Sequence, residues 1–154
     1  MSGTTSNIAG ETLSVDTAAG TTVYATTVNS TDVFNLTRGW SGGAADSVVE
    51  FGGPGTINIY SGYGSSYLGN FKTTAGNLVL GSNTYTGGAT PVEVLGANKV
   101  LEVAGGTVRL AGTTSSGVQI NFSLSNTNVT GDSTLLIDRT SAGSVVTLSL
   151  IHIS

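Results

Sequence analysis

The 154-residue chain has no cysteine, which excludes disulfide staples, thiolate nucleophiles and cysteine-bound zinc. Its one histidine is His152, so a Ser-His-Asp triad or a histidine-rich metal site would have to be built on that residue. Basic residues are also scarce. Five of them face nine acidic ones, for a formal charge of −4. Without a basic patch to neutralise phosphates, no nucleic-acid partner is expected. Lysine occurs only at Lys72 and Lys99, and no GxxxxGK[ST] phosphate loop is present. Charged residues make up 9% of the chain, against about 25% in an average soluble domain. No apolar run is long enough to cross a membrane as a helix. The opening Met1-Ser2-Gly3-Thr4-Thr5 is polar, without the apolar stretch of a secretion signal, as in a mature or internal segment.

What is present is turn chemistry and short apolar runs. Gly, Ser, Thr and Asn supply half of the residues, and Leu, Ile, Val and Phe about a quarter. That apolar content suffices for a core, and with so little charge it is unlike a disordered chain. Helical periodicity is missing, because Gly, Thr or Asn interrupts every stretch of good helix formers. Alternating runs predict strands at Gly55–Tyr60, Asn77–Leu80, Pro91–Leu95, Val100–Val103, Thr107–Leu110, Val118–Phe122, Leu135–Ile137 and Val145–Leu148. In Thr107–Leu110 the apolar residues fall on even positions, giving one buried and one wet face. Glycine pairs at 42–43, 52–53, 87–88 and 105–106 mark sharp corners.

Two all-β readings follow: a sandwich or barrel of hairpins, and a β-solenoid of stacked short strands. The strands are short for a sandwich. Comparable segments at Asn77–Leu80, Lys99–Val103 and Val118–Phe122 start about 20 residues apart, near one coil of a three-sided β-helix. Stacked Thr, Ser and Asn are expected to bond between coils. The expectation is therefore one all-β domain over residues 1–147, a right-handed parallel β-helix, with residues 1–45 less regular and serving as an irregular coil or cap.

Residues 75–90 read Ala75-Gly76-Asn77-Leu78-Val79-Leu80-Gly81-Ser82-Asn83-Thr84-Tyr85-Thr86-Gly87-Gly88-Ala89-Thr90. This resembles the passenger-associated repeat of bacterial autotransporters, G-x-L-x-L followed by N-T-Y-T-G-G-T-T. Gly76, Leu78 and Leu80 match its strand, and Asn83, Thr84, Tyr85, Thr86, Gly87 and Gly88 match its turn, as does Thr90. Ala89 departs from the usual Thr, and Pro91 places the next strand at an edge or corner. The match extends loosely to Gly112. It implies a right-handed parallel β-helix, a fragment of a longer passenger exported by type V secretion and displayed on, or shed from, a Gram-negative outer membrane. The family pattern carries no catalytic residue and no cofactor. On this reading Leu78 and Leu80 enter the core, and Tyr85 lies across a corner.

The last seven residues, Leu148 to Ser154, back-translate to CTG TCT CTT ATA CAC ATC TC, similar to the mosaic-end adapter of transposase-based sequencing libraries. Residues 148–154 are then expected to be a non-native tail, with Met1 an internal start. The alternative is a genuine final strand burying Leu148 and Leu150.

Candidate sites divide in the same way. Paired carboxylates would make a polysaccharide-processing β-helix enzyme. Glu93 and Glu102, expected on neighbouring strands, are the best pair, against a reading of them as solvent-facing edge charges. Asn126–Asp132 offers oxygen ligands for calcium but lacks both the EF-hand loop and the G-G-x-G-x-D repeat, so a plain turn competes. No metal site is expected. Tyr60, Tyr63 and Tyr67 in a Gly/Ser segment are candidate surface contacts for glycans or proteins, or else cover the core. Trp40 beside Arg38 is read as a cation–π partner or as a cap of the solenoid end. The functional expectation is a structural, adhesive segment whose partners are host or neighbouring-cell surface glycans or proteins, and whose open ends self-associate. A phage tail-fibre or tailspike segment is the further alternative to the enzyme.

Overall fold

A three- to five-residue strand with one apolar side cannot bury that side alone, so it must stack. The computed structural model describes residues 3–8, 13–37, 39–60, 66–81, 92–96, 98–111, 120–122, 124–138, 146–148 and 152–153. Among them there is no helix. The strands run β1 (Thr5–Ile8), β2 (Leu13–Val15), β3 (Thr22–Thr26), β4 (Val33–Leu36), β5 (Trp40–Gly42), β6 (Val48–Gly52), β7 (Thr56–Tyr60), β8 (Asn70–Thr73) and β9 (Asn77–Gly81). They continue with β10 (Val92–Glu93), β11 (Val100–Val103), β12 (Gly106–Ala111), β13 (Ile120–Phe122), β14 (Asn126–Val129), β15 (Ser133–Asp138), β16 (Val146–Leu148) and β17 (His152–Ile153).

Every pairing between them is parallel, and the chain is a β-solenoid. One six-stranded sheet runs β1-β4-β7-β9-β12-β15, and a second runs β3-β6-β8-β11-β14-β17. We call the first the asparagine face and the second the charged face, after their outward rows. A third side is made by β2-β5 and, further along, by β10-β13-β16. Between these two small sheets, Ser66 and Leu68 donate backbone hydrogen bonds to Trp40 and Gly42 at 2.8 and 2.9 Å, continuing the third side. Of the strands in residues 1–45, β1 and β4 join the asparagine face and β3 the charged face, while β2 and β5 pair with each other.

The interior follows from strand alternation. On the asparagine face, Leu36, Ile59, Leu80 and Leu110 occupy one inward row, each 0% exposed. Ile57, Leu78 and Val108 stack beside them. On the charged face Val49, Phe71 and Leu101 form one inward row, and Phe51, Thr73 and Val103 the next. Full burial of each such aliphatic side chain contributes about 1.5–3 kcal/mol. In the early coils the core is aromatic. Trp40 meets Phe51 and Phe71 edge-on at 5.9 and 6.1 Å, Phe51 and Phe71 stack at 6.2 Å, and Tyr67 lies 5.4 Å from Phe71.

The corner from the charged face to the asparagine face is tight. It runs from Gly52 to Thr56, Thr73 to Asn77, Val103 to Gly106 and Val129 to Ser133. Gly53, Gly76 and Gly106 stand over one another there with φ of 86°, 69° and 72°. A Cβ on Gly76 would be driven into the Gly53 carbonyl oxygen, and one on Gly106 into that of Gly76. Here glycine serves both the left-handed conformation and the close stacking.

Two expectations on register are corrected. Asn77–Leu80, Lys99–Val103 and Val118–Phe122 are not successive coils of one face. β9 pairs with β12, β11 with β8 and β14, and β13 with β10 and β16, so the three segments occupy three different sides. Their common spacing is two sides of a three-sided coil, not a stacking repeat, because a full coil runs from Asn77 to its partner Thr107. Trp40 is no cap: it is 2% exposed inside the aromatic cluster, and Arg38 lies outside the described residues.

Candidate interaction surface

Parallel in-register stacking turns every outward position into a row along the solenoid axis. On the asparagine face one row is Asn7, Asn35, Asn58, Val79, Arg109 and Leu136. Its first three members form an amide ladder. The Asn35 side-chain NH2 donates to Asn7 Oδ1 at 2.7 Å, and Asn58 donates to Asn35 Oδ1 at 2.8 Å. Asn35 thus uses both halves of its amide, as identical groups one strand apart allow. Beyond Val79, Arg109 pairs with the Asp138 carboxylate.

On the charged face the outward row is Tyr24, Glu50, Lys72, Glu102 and Asn128, with the backbone of His152 paired beside Asn128. Lys72 Nζ lies 3.1 Å from Glu102 Oε1, and the Thr74 hydroxyl donates to Glu50 Oε1 at 3.2 Å. Both ends of the Lys72–Glu102 pair are about one-third exposed, so it is worth at most about 1 kcal/mol. Beside it, Val48, Asn70 and Val100 line a shallow depression of about 370 Å³. Tyr24 stands 67% exposed at one end of the row.

The corner before β4 is longer than those that follow, and Asp32 closes it. Its carboxylate accepts from the Asn29 and Val28 amides at 2.8 and 3.2 Å, and from the Thr4 amide and hydroxyl at 3.1 and 2.9 Å. The Asn29 side chain adds a bond at 3.2 Å. These bonds, led by that of the Thr4 amide, hold the Asp32 carboxyl far below the ordinary carboxylate range. The folded pKa is depressed, so this stabilisation is complete above the unfolded pKa of about 4 and is lost as pH falls through the folded value. Asp32→Asn is expected to lower Tm at neutral pH. The gap to wild type should narrow as melts are taken at progressively lower pH below about 4. An unchanging gap in circular-dichroism melts would refute the assignment.

Burial also lowers the pKa of Lys99, but against its charged form. Desolvation pushes its ammonium pKa down while it donates to the Leu68 carbonyl at 2.9 Å.

The candidate contact tyrosines separate. Tyr67 is 1% exposed, packed on Phe71 and sharing a 2.9 Å hydrogen bond with Ser47 Oγ. It is therefore a core residue and not a surface contact: its ring fills the space left by Gly43 and Gly69, where added Cβ atoms would strike it. Tyr60 ends β7 with its backbone opposite Gly81, and its side chain lies outside the described residues, as does all of Tyr63. In the repeat motif Leu78 and Leu80 are buried and Gly76 makes the corner. Asn83, Thr84, Tyr85, Thr86, Gly87 and Gly88 lie outside the described residues.

Glu93 and Glu102 do not share a face, because β10 and β11 belong to different sheets. Asn126–Asp132 is β14 followed by a corner with Gly131 at φ 62°. Among the described residues no three His, Cys, Asp or Glu side chains gather as a metal would require, and no helix is long and apolar enough to cross a membrane.

Bonding between stacked Asn was expected, but not that Asn7, Asn35 and Asn58 form it, and the aromatic cluster was not foreseen. The signal was the triplet Thr5-Ser6-Asn7, Val33-Phe34-Asn35 and Thr56-Ile57-Asn58, whose uneven spacing hides it from a fixed-period search. Compared with family models, with curated proteins and with solved structures, the chain matches none of them.

Proposed function

We propose that the chain is a structural, adhesive segment of a secreted or surface-displayed bacterial β-helical passenger. The observation that carries this reading is the pairing of a continuous stacked core with long outward rows of amide, hydroxyl and charged groups. A stack of this kind gains stability coil by coil and presents an extended face at each side. Three of its nine acids hold the fold: Asp32 closes a corner, Glu102 pairs with Lys72, and Asp138 pairs with Arg109. The passenger-type motif at residues 75–90 supports export to a Gram-negative surface, with glycans or proteins of a host or neighbouring cell as partners.

Beads coated with the 154-residue chain are expected to adhere to surfaces presenting host or bacterial glycans and glycoproteins. No new reducing ends should appear when the chain is incubated with polysaccharides. Absence of adhesion to all such surfaces would overturn the adhesive role. Release of reducing ends, lost in Glu102→Gln, would replace it with the enzyme reading.

A further inference from the structure

Four Asn-x-Ser/Thr triplets occur in the chain, at Asn29, Asn35, Asn121 and Asn128. This is the acceptor pattern for a sugar carried on an asparagine side chain, and it requires an exposed segment. The fold sorts the four. Asn35 lies within β4, paired to β1 and β7, and its carboxamide is committed to Asn7 on one side and Asn58 on the other. Asn128 lies within β14, between β11 and β17, and the backbone of Asn121 lies within β13, between β10 and β16. Each of these three is locked into a ladder from both sides.

Asn29 is placed differently. The corner from β3 to β4 takes residues 27–32, whereas the same corner takes only residues 53–55 and 74–76 in the next two coils. The surplus chain stands out from the stack: Val28 is 83% exposed, and Asn29, Ser30 and Thr31 are exposed with it. Residues 29–32 form a β-turn, closed by the Asp32 amide donating to the Asn29 carbonyl at 3.1 Å. The Asn29 side-chain NH2 donates to Asp32 Oδ2 at 3.2 Å, which uses one of its two hydrogens. Beside it runs a shallow cleft of about 460 Å³, lined by Val28, Asn29, Ser30, Thr31 and Pro54.

We propose that Asn29 is a modification site that takes a hexose on its side-chain nitrogen. The donor is a hexose activated as its nucleotide diphosphate ester. Asn29 Nδ2 attacks the anomeric carbon, and the new N–C bond forms as the C–O bond to phosphate breaks. The nucleotide diphosphate leaves with the bonding electron pair, and the amide gives up one proton. One N–H remains on Nδ2 to bond Asp32, so the turn survives the modification. The sugar then lies along the cleft with its apolar face over Val28 and Pro54 and its hydroxyls in water. On Asn35 the same group would be forced against the Asn7 carboxamide, which the Asn35 nitrogen meets at 2.7 Å. This inference rests on the corner alone and holds whether or not the passenger reading is right.

The folded 154-residue chain, incubated with a soluble asparagine-glycosylating transferase and a nucleotide-activated hexose, is expected to gain the mass of one hexose. Peptide mapping should locate it on Asn29. Thr31→Val removes the hydroxyl that completes the triplet and leaves the Asn29 carboxamide in place. It should abolish the gain while keeping wild-type circular dichroism. Asn29→Gln should abolish the gain as well, and Asn35→Gln should leave it unchanged. A folded chain that takes up no hexose, or takes it on Asn35 or Asn128 in place of Asn29, would overturn the proposal. So would a Thr31→Val chain modified as fully as the wild type.

Discussion

Phe71→Ala is expected to lower the unfolding free energy by about 3–5 kcal/mol. Phe71 is 1% exposed and touches three other rings: Trp40, Phe51 and Tyr67. Its strand, β8, lies between β6 and β11, so the ring is covered by coils on both sides and the gap has no free edge along which to collapse. A cavity that cannot collapse carries the full packing loss as well as the transfer loss. The measurement is urea unfolding at equilibrium, read as a shift in midpoint at constant slope. Tyr67→Phe in the same background keeps the ring and removes only the hydroxyl that meets Ser47. It is expected to cost about 1–3 kcal/mol, the penalty for a buried hydrogen bond left half-made. A Phe71→Ala midpoint no different from that of Tyr67→Phe would show that the aromatic cluster is not the centre of the core.

Gly76→Ala should be as damaging although it adds a single carbon. Two effects act at once. The φ of 69° costs an L-residue about 1–2 kcal/mol, and the new Cβ collides with the Gly53 carbonyl. The second effect reaches beyond residue 76, because Gly53, Gly76 and Gly106 are stacked and moving one carbonyl disturbs the coils on either side. Gly20→Ala separates the two effects. Gly20 has nearly the same φ, 70°, but the nearest atom to an added Cβ is Asp46 Oδ2 at 3.8 Å. Gly20→Ala is expected to lose only the backbone penalty, and Gly76→Ala to lose that plus about 2 kcal/mol or more, comparable to a disrupted core contact. Equal losses in thermal melts would mean that the corner stack yields freely.

Each of the eight expected strands overlaps a strand of the fold, although Pro91–Leu95 is strand only at Val92–Glu93, and Pro91, Val118, Gln119 and Val145 lie outside the described residues. β12 is the clearest case, with Val108 and Leu110 fully buried and Thr107 and Arg109 outward. The first half was less legible. β1, β4 and β6 mix Thr, Asn and Gly into the inward or outward rows, and a short strand such as Thr5–Ile8 has one clear apolar residue from which to read a period. Tyr67 illustrates the limit of local reasoning. In sequence it sits among glycines and serines and reads either as a surface contact or as cover for the core; in space Gly43 and Gly69 leave the room that its ring occupies.

The sequence by itself therefore determined the class of fold: strands without helices, no disulfide, sharp glycine corners and an apolar stripe that only stacking can bury. It also determined which way Leu78, Leu80, Val108 and Leu110 face, since orientation within a strand depends on period alone. The tertiary structure decided which strand lies over which. That choice depends on where each coil turns, and the coils differ in length on the side between Gly81 and Val92 or Ala111 and Ile120, while the corner at Gly76 and Gly106 stays short. Only once that register is set do Asn7, Asn35 and Asn58 come into line, Lys72 reach Glu102, and Ser6 and Leu135 become opposite ends of one row. Contacts between coils join residues more than twenty positions apart, and no local preference specifies such a distance.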